Sequence, residues 1–352
     1  MNTYQIATIP GDGIGKEVVP ESVKVLDIVA AKCGFKLKYK NYNYSCEYFK
    51  LHGKMMPENG LDRLRDSDGI FLGAVGYPGV PDHISLWGLL IPIRRNFQQY
   101  VNLRPVKLLK GIESPLKAPG IIDFYIVREN NEGEYSSIGG RLNEGSPHEL
   151  VVQESIFTRR GVDRVMKYAF ELASKRDFKL TSATKSNGII HTMPYWDERF
   201  KAMSKNYPKV AIDQFHIDIL AAHFVQNPDR FDVVVASNLF GDILSDLGPA
   251  VVGGMGIAPG ANINPEKEFP SMFEPVHGSA PDIAGKKLAN PIACIWTASM
   301  MLDHLGEIEG AKLIVNAIEE IISSGKVLTK DLGGNANTEG VTNAIIEKIK
   351  RL

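Results

Sequence analysis

Apolar residues recur along this chain with two alternating periods. Tyr4–Ile9 reads as a short strand that breaks at Pro10-Gly11-Asp12-Gly13. Glu17–Cys33 follows, with Val18, Val19, Val23, Leu26, Ile28 and Val29 on a mostly apolar face, which predicts a helix. Phe35–Tyr42 predicts a second strand, Leu61–Ser67 a short helix and Gly69–Gly73 a buried strand. Such alternation argues for an α/β sheet. Between Gly111 and Glu154 the pattern changes. Glycines and polar residues interrupt the β-like runs Ile121–Arg128, Gly133–Ile138 and Glu149–Ile156, which predicts hairpins or a protruding arm. Helix–strand alternation resumes over Arg160–Ser174, Lys179–Lys185, Tyr195–Lys205, Asp218–Phe224 and the strand Asp232–Ser237. Gly248–Asn264, rich in Gly, Pro and Ala, predicts a connection or inter-domain crossing, and the end is helical over Pro291–Leu305, Ile308–Ser323 and Val341–Ile349. No linker interrupts the pattern, so two domains are expected to be interleaved.

Composition narrows the class. The 352 residues suffice for about two domains. Forty basic and 41 acidic residues give a net charge of −1, so no basic field exists to hold a nucleic acid. No apolar run approaches the roughly 20 residues of a membrane span, and Met1–Ile6 carries no basic-then-apolar signal. Cys33, Cys46 and Cys294 are odd in number and not in CxxC spacing, which fits a reducing cytoplasm. A cytoplasmic enzyme is expected, with no membrane or nucleic-acid partner.

Candidate chemistry is concentrated in a few segments. Gly11-Asp12-Gly13-Ile14-Gly15 has Lys16 where a Rossmann fingerprint needs its third glycine, so it reads as a tight strand-to-helix turn. Asp242 and Asp246 are spaced i,i+4, on one face of a helix after a Val-rich strand. They either chelate a hard divalent cation, Mg²⁺ or Mn²⁺, or favour a helix N-terminus through its dipole. Asp218 is a candidate third ligand. Arg94, Arg104 and Arg128 would clamp a dicarboxylic acid if they converge; Arg95 reads as a solvated surface residue. Tyr135 and Lys185 are either packing and solvated groups or proton-transfer groups near cations. His277-Gly278-Ser279-Ala280-Pro281-Asp282, with Asn290-Pro291 opening a helix, reads as a nucleotide cradle or an ordinary turn.

Five ordered segments resemble the isocitrate/3-isopropylmalate dehydrogenase family along nearly the whole chain. They are Ile9–Gly15, Asn102-Leu103-Arg104-Pro105, Asn238–Asp246, Glu274–Gly285 and Asp331-Leu332-Gly333-Gly334. The resemblance implies an α/β fold with a large mixed sheet, not Rossmann, and two interleaved subdomains. Residues 1–99 and 253–352 would form the larger, cofactor-side subdomain. Residues 100–252 would form the smaller one, with a β-arm at a homodimer interface. It implies metal-dependent oxidative decarboxylation of a (2R)-2-hydroxy acid carrying a carboxylate on C3. Arg94, Arg104 and Arg128 would bind substrate carboxylates. Asp218, Asp242 and Asp246 would hold Mg²⁺ or Mn²⁺, with Asp218 and Lys185 supplied by the partner subunit. Lys185 would assist loss of the hydroxyl proton and Tyr135 would protonate the enolate. Gly73, Ala74, Val75 and Gly76, with His277, Gly278, Ser279, Ala280, Asp282, Ile283 and Asn290, would hold the cofactor.

Asp282 stands where the adenosine ribose is received, and a carboxylate there repels a 2′-phosphate, so NAD is expected. Asp82-His83-Ile84-Ser85-Leu86-Trp87-Gly88 resembles the tartrate/D-malate branch, as do Gly133–Ser136 and Phe269–Phe273. Trp87 stands where isopropylmalate enzymes carry a glutamate. Leu90 and Ile91 keep an apolar wall, which discriminates by only about 1–3 kcal/mol per methylene. The expected substrate is D-malate, with tartrate and 3-isopropylmalate as secondary ones. Isopropylmalate dehydrogenase proper is the alternative.

Overall fold

The computed structural model describes residues 1–352. Twelve strands form: β1 (Thr3–Gly11), β2 (Lys36–Asn41), β3 (Gly69–Ala74), β4 (Val101–Lys107), β5 (Asp123–Glu129), β6 (Gly139–Leu142), β7 (Leu150–Gln153), β8 (Lys179–Thr184), β9 (Ala211–His216), β10 (Val233–Ala236), β11 (Ala261–Ile263) and β12 (Ser271–Phe273). Ten of them make one mixed sheet in the order β2-β1-β3-β12-β11-β4-β5-β10-β8-β9. Pairing is parallel on both flanks and antiparallel at the centre, where β11 meets β12 and β4, and β4 meets β5. The remaining two, β6 and β7, form an antiparallel arm whose residues are all exposed.

Side-chain alternation decides which face each core residue serves. Val127, Val233, Val235, Phe71 and Ile6 point to one face. There a single continuous core packs them against the helices Gly15–Cys33, Arg159–Ser174, Ile292–Leu305, Ile308–Ser324 and Thr338–Arg351. Their neighbours point to the other face, where the apolar floor is split in two. Ile126, Phe124, Val234 and Ala236 pack under the helices Ile217–Gln226 and Asn238–Val251. Ala7, Ile9, Ile70, Leu72 and Met272 pack under the residues 46–97 helices. Between the two patches lie Asn102 and Arg104 on β4, Arg128 on β5, Asn262 on β11 and Glu274 after β12, all buried. That polar row is the floor of a cleft.

Several expectations are corrected by the structure. Ile121–Arg128 belongs to the centre of the main sheet and not to an arm. Gly133–Ile138 forms no strand; only Gly133 bridges to Ile156. Gly248–Asn264 is not simply a connection, because its first residues end a helix and its last form β11. The segment before the first arginine is a helix, Asp82–Ser85 and Ile91–Asn96, interrupted by one π-helical turn over Leu86–Leu90. No helix is long and apolar enough to cross a membrane.

Candidate active site

Arg94, Arg104 and Arg128 reach the cleft from three elements. Arg104 and Asn102 are two residues apart on β4, so they share a face, and Asn102 pairs with Arg128 on β5. Asn102 Oδ1 accepts from Arg104 Nε at 2.7 Å, and Asn102 Nδ2 donates to Asn262 at 2.8 Å. Asn262 in turn donates to Glu274 at 2.7 Å, and Glu274 accepts from Arg94 at 2.8 Å. Arg128 donates to Asn238 Oδ1 at 3.1 and 2.8 Å and also to Asp242. Every arginine is thus oriented by a buried amide or carboxylate, and yet donors remain. Arg104 Nη1 and Arg94 Nε are buried without a partner. Burial, with Arg128 and Arg94 close by, pulls the Arg104 guanidinium down to about 10 despite Glu274. An anionic ligand would relieve that crowding.

A cavity of about 180 Å³ opens beside these groups. It is lined by Gly73, Ala74, Val75, Leu90, Arg94, Arg104 and Glu274–Gly278. Sites for larger ligands commonly measure about 300–1,000 Å³, so this one suits a small acid. Five of the eleven expected cofactor residues border it: Gly73, Ala74, Val75, His277 and Gly278. Gly73 and Ala74 end β3, and Gly76 N–H donates to the buried Asp12 at 3.1 Å. The glycine turn touches the opposite loop: Ile14 N–H donates to Ser279 O at 2.8 Å, and a Cβ on Gly13 would sit 2.0 Å from that oxygen. Gly13 therefore serves close backbone packing. His277 Nε2 is buried and unpartnered, and burial lowers the imidazole's proton affinity, so a donor or acceptor on a ligand is accommodated there. Ala280 holds a left-handed φ of 40°. Asp282 is exposed, and Asn290 donates to Asp331 at 2.9 Å.

Asp242 and Asp246 lie in the helix Asn238–Val251, beyond its first turn, so its dipole does not account for them. Tyr135 donates to Asp242 at 2.6 Å. Burial pushes the Asp242 carboxyl up, but the Arg128 cation and the Tyr135 hydroxyl hold it below the ordinary range. Burial and the Asp242 charge push Asp246 up. A carboxylate pair crowded in this way fits a hard divalent cation, which would cancel the repulsion. Burial and the bond to Asp242 raise Tyr135 to about 12.

Lys185 and Asp218 lie apart from these groups. They pair with each other at 2.9 Å, after β8 and β9 at the far edge of the sheet. No three acids, histidines or cysteines gather into a metal site within one chain. Asp218 is held below its ordinary range by the hydrogen bond from Lys185.

Arg95 contradicts its surface reading. It is half-buried, donates to Tyr135 O at 2.5 Å and lies over the Trp87 ring at 5.0 Å. Sequence reasoning also passed over Asn102, Asn262, Asn238 and Glu274 as chemistry. The available signal was polar residues at alternate positions in otherwise apolar strands, as in Val101-Asn102-Leu103-Arg104.

A mixed sheet with buried arginines gathered at its antiparallel centre and a carboxylate pair on the next helix is not a Rossmann arrangement. The chain belongs to the isocitrate/isopropylmalate dehydrogenase family, whose model matches residues 5–349. It is 61% identical to a D-malate dehydrogenase (decarboxylating) of Escherichia coli strain K12, over 100% of both chains. It is 56% identical to a tartrate dehydrogenase/decarboxylase of Pseudomonas putida, covering 100% of this chain and 99% of that one. Among solved structures it superposes on isocitrate dehydrogenase from Methylococcus capsulatus with a TM-score of 0.88, at 33% identity and 99% coverage of both chains.

Proposed function

We propose that the chain catalyses the NAD-dependent, divalent-metal-dependent oxidative decarboxylation of D-malate to pyruvate and CO₂, with tartrate and 3-isopropylmalate as secondary substrates. The observation that carries this reading is a row of buried arginines of which Arg94 and Arg104, both under-partnered, line one small cavity, while Arg128 contacts Asp242 of the Asp242–Asp246 pair. The relatives named for D-malate and tartrate support the substrate class.

Arg94, Arg104 and Arg128 would hold the two carboxylates and align the C3–carboxylate bond for cleavage. Lys185 would take the proton of the C2 hydroxyl. The Gly73–Gly76 and His277–Asn290 segments would hold NAD, which would supply the hydride acceptor, and Asp242, Asp246 and a second chain's Asp218 would hold a divalent ion, which would supply Lewis-acid stabilisation of the developing enolate. Loss of CO₂ leaves an electron pair that forms the enolate. Tyr135 would return a proton to C3, completing the methyl group of pyruvate. Asp282, exposed at the expected ribose position, favours NAD because a carboxylate repels a 2′-phosphate.

The reading includes a homodimer. Three features support it: Lys185 and Asp218 are remote from Asp242, Ile219, Val225 and Ile243 are exposed on the cleft-side helices, and β6–β7 has no sheet to join. An isolated hairpin of this kind is marginal on its own. Two interleaved subdomains, 1–99 with 253–352 and 100–252, belong to the same proposal.

Steady-state kinetics with Mn²⁺ on D-malate, L- and meso-tartrate, 3-isopropylmalate and isocitrate tests it. The highest kcat/KM is expected for D-malate with NAD. A large excess for 3-isopropylmalate would reverse the substrate order, and a preference for NADP would refute the role of Asp282.

A further inference from the structure

Tyr135 is held at three points. Its hydroxyl donates to Asp242 at 2.6 Å, and the Arg128 guanidinium lies 5.5 Å from its ring centroid. The third point is its backbone carbonyl, which accepts from Arg95 at 2.5 Å. The first two act on the reacting end of the side chain. The loop between β5 and β6 is also tied down on either side of Tyr135, by the Gly133–Ile156 bridge, by Glu134, which accepts from Ser237 and Leu239, and by Ser136 O, which accepts from Gln153, but Arg95 is the one side chain that bonds the Tyr135 backbone itself and links it to the helical segment before Arg94.

Arg95 is itself anchored. Its guanidinium lies 5.0 Å from the Trp87 ring centroid, within the range of a cation–π contact. Trp87 sits in the π-helical turn Leu86–Leu90, an irregularity common at functional sites. Gly88 makes this turn fit, since a Cβ there would come 2.7 Å from Met55 Cγ. The turn also carries Leu90, which lines the small cavity, and Arg94 follows one helical turn later. A planar guanidinium can stack on an aromatic face and still donate from its edge, which an ammonium cannot reproduce.

We propose that Arg95 is a positioning residue that clasps the Tyr135 loop to the Trp87 turn, so that the wall of the substrate cavity and the proton donor move as one unit. The inference rests on the functional reading above and adds Arg95, which touches no reacting atom. Its consequence falls on protonation at C3 and not on cofactor binding, because the partners of the Arg95 guanidinium are the Tyr135 carbonyl and the Trp87 ring, and it makes no hydrogen bond to the Gly73–Gly76 segment or the His277–Asn290 loop.

The test uses the full-length enzyme with NAD and Mn²⁺. Arg95→Gln and Arg95→Lys are compared with the unaltered chain for kcat and KM on D-malate. Exchange of pyruvate methyl protons with D₂O is followed by NMR. That exchange requires proton transfer at C3 but no hydride transfer. Arg95→Gln is expected to lower both kcat and exchange by about 10- to 100-fold, the effect of misplacing a reacting group by about 1 Å, with KM for NAD unchanged. Arg95→Lys, which keeps the cation but not the fork, is expected to fall between the two. Unaltered rates in Arg95→Gln overturn the inference. So does a loss of kcat accompanied by an equal loss of NAD affinity and of thermal stability, since Arg95 would then be purely structural. Failure of the unaltered enzyme on D-malate instead overturns the functional reading.

Discussion

The Arg94–Glu274 pair lets buried charge be separated from catalysis. Both side chains are less than a tenth exposed, and they meet at 2.8 Å. Arg94→Met leaves Glu274 with one neutral donor, Asn262, and the more distant Arg104. Breaking such a pair typically costs about 3–5 kcal/mol. Here the cost has a ceiling, because an abandoned carboxylate can take up a proton. Neutralising a group of ordinary carboxylate pKa costs about 3 kcal/mol at pH 7 and under about 1 kcal/mol at pH 5. In the native enzyme Glu274 gains from Arg94 and Arg104 more than it loses by burial, and stays ionised below its ordinary range. The expected destabilisation of Arg94→Met is therefore at least about 3 kcal/mol at pH 7 and at least about 1 kcal/mol at pH 5, since the native gain is lost at both, and the two should differ by about 2 kcal/mol. Glu274→Gln strands the guanidinium instead, which cannot shed its proton. Its destabilisation should be alike at both pH values. Urea unfolding followed by circular dichroism at pH 5 and pH 7 measures both. Equal losses for Arg94→Met at the two pH values, or a loss below about 1 kcal/mol at pH 7, would refute the reasoning.

Glu129, buried at the end of β5, is raised to about 7 by burial, against the pull of the Asn131 and Glu132 amides. The folded state thus holds a proton that the unfolded state gives up near 4.5, so stability falls by about 3 kcal/mol as pH rises from 4.5 through 7. Glu129→Gln should flatten that slope in thermal melts, and an unchanged slope would contradict the assignment. A Cβ at Gly241 would lie 2.5 Å from Arg128 Cβ and Cγ. Gly241→Ala should cost about 1–3 kcal/mol by overpacking and raise KM for D-malate more than KM for NAD. Lys185→Met and Tyr135→Phe should each lose about 100-fold or more in kcat while binding NAD normally in a fluorescence titration. Mixing unfolded Lys185→Met and Asp246→Asn chains and refolding them together should return about a quarter of full activity, because one site in each mixed dimer would be intact. No recovery would contradict a site shared between subunits.

The sequence made the flanks of the fold readable because their strands and helices are long enough to show a period. The centre was not readable for the opposite reason. β11 and β12 have three residues each and lie in Gly- and Pro-rich stretches, so no alternation can be seen in them. The arginines and the acid pair could be found singly, since each sits in a local motif. What orients them could not. Asn102, Asn262 and Glu274 come from three strands or strand ends and are polar residues on a buried face, visible as a network only once β4, β11 and β12 are side by side. Arg95 looked like a solvated residue because its partners, Trp87 and Tyr135, are 8 and 40 positions away.

The two faces of the sheet have different mechanical properties. One face is sealed by a core that runs without a break beneath both flanks, while the other is parted by the row from Asn102 to Glu274. The chain passes between the flanks at β4 and, through residues 252–260, at β11, and both strands are hydrogen-bonded within the sheet. Any opening of the cleft would therefore flex the sheet like a leaf spring about its sealed back. β4 and β11 lie at the middle of that sheet, where Arg104 and the amides that aim it are seated. Grip on a small anion and the shape of the whole molecule are in this way a single elastic variable, and a ligand that straightens Arg104 would be felt at both ends of the sheet.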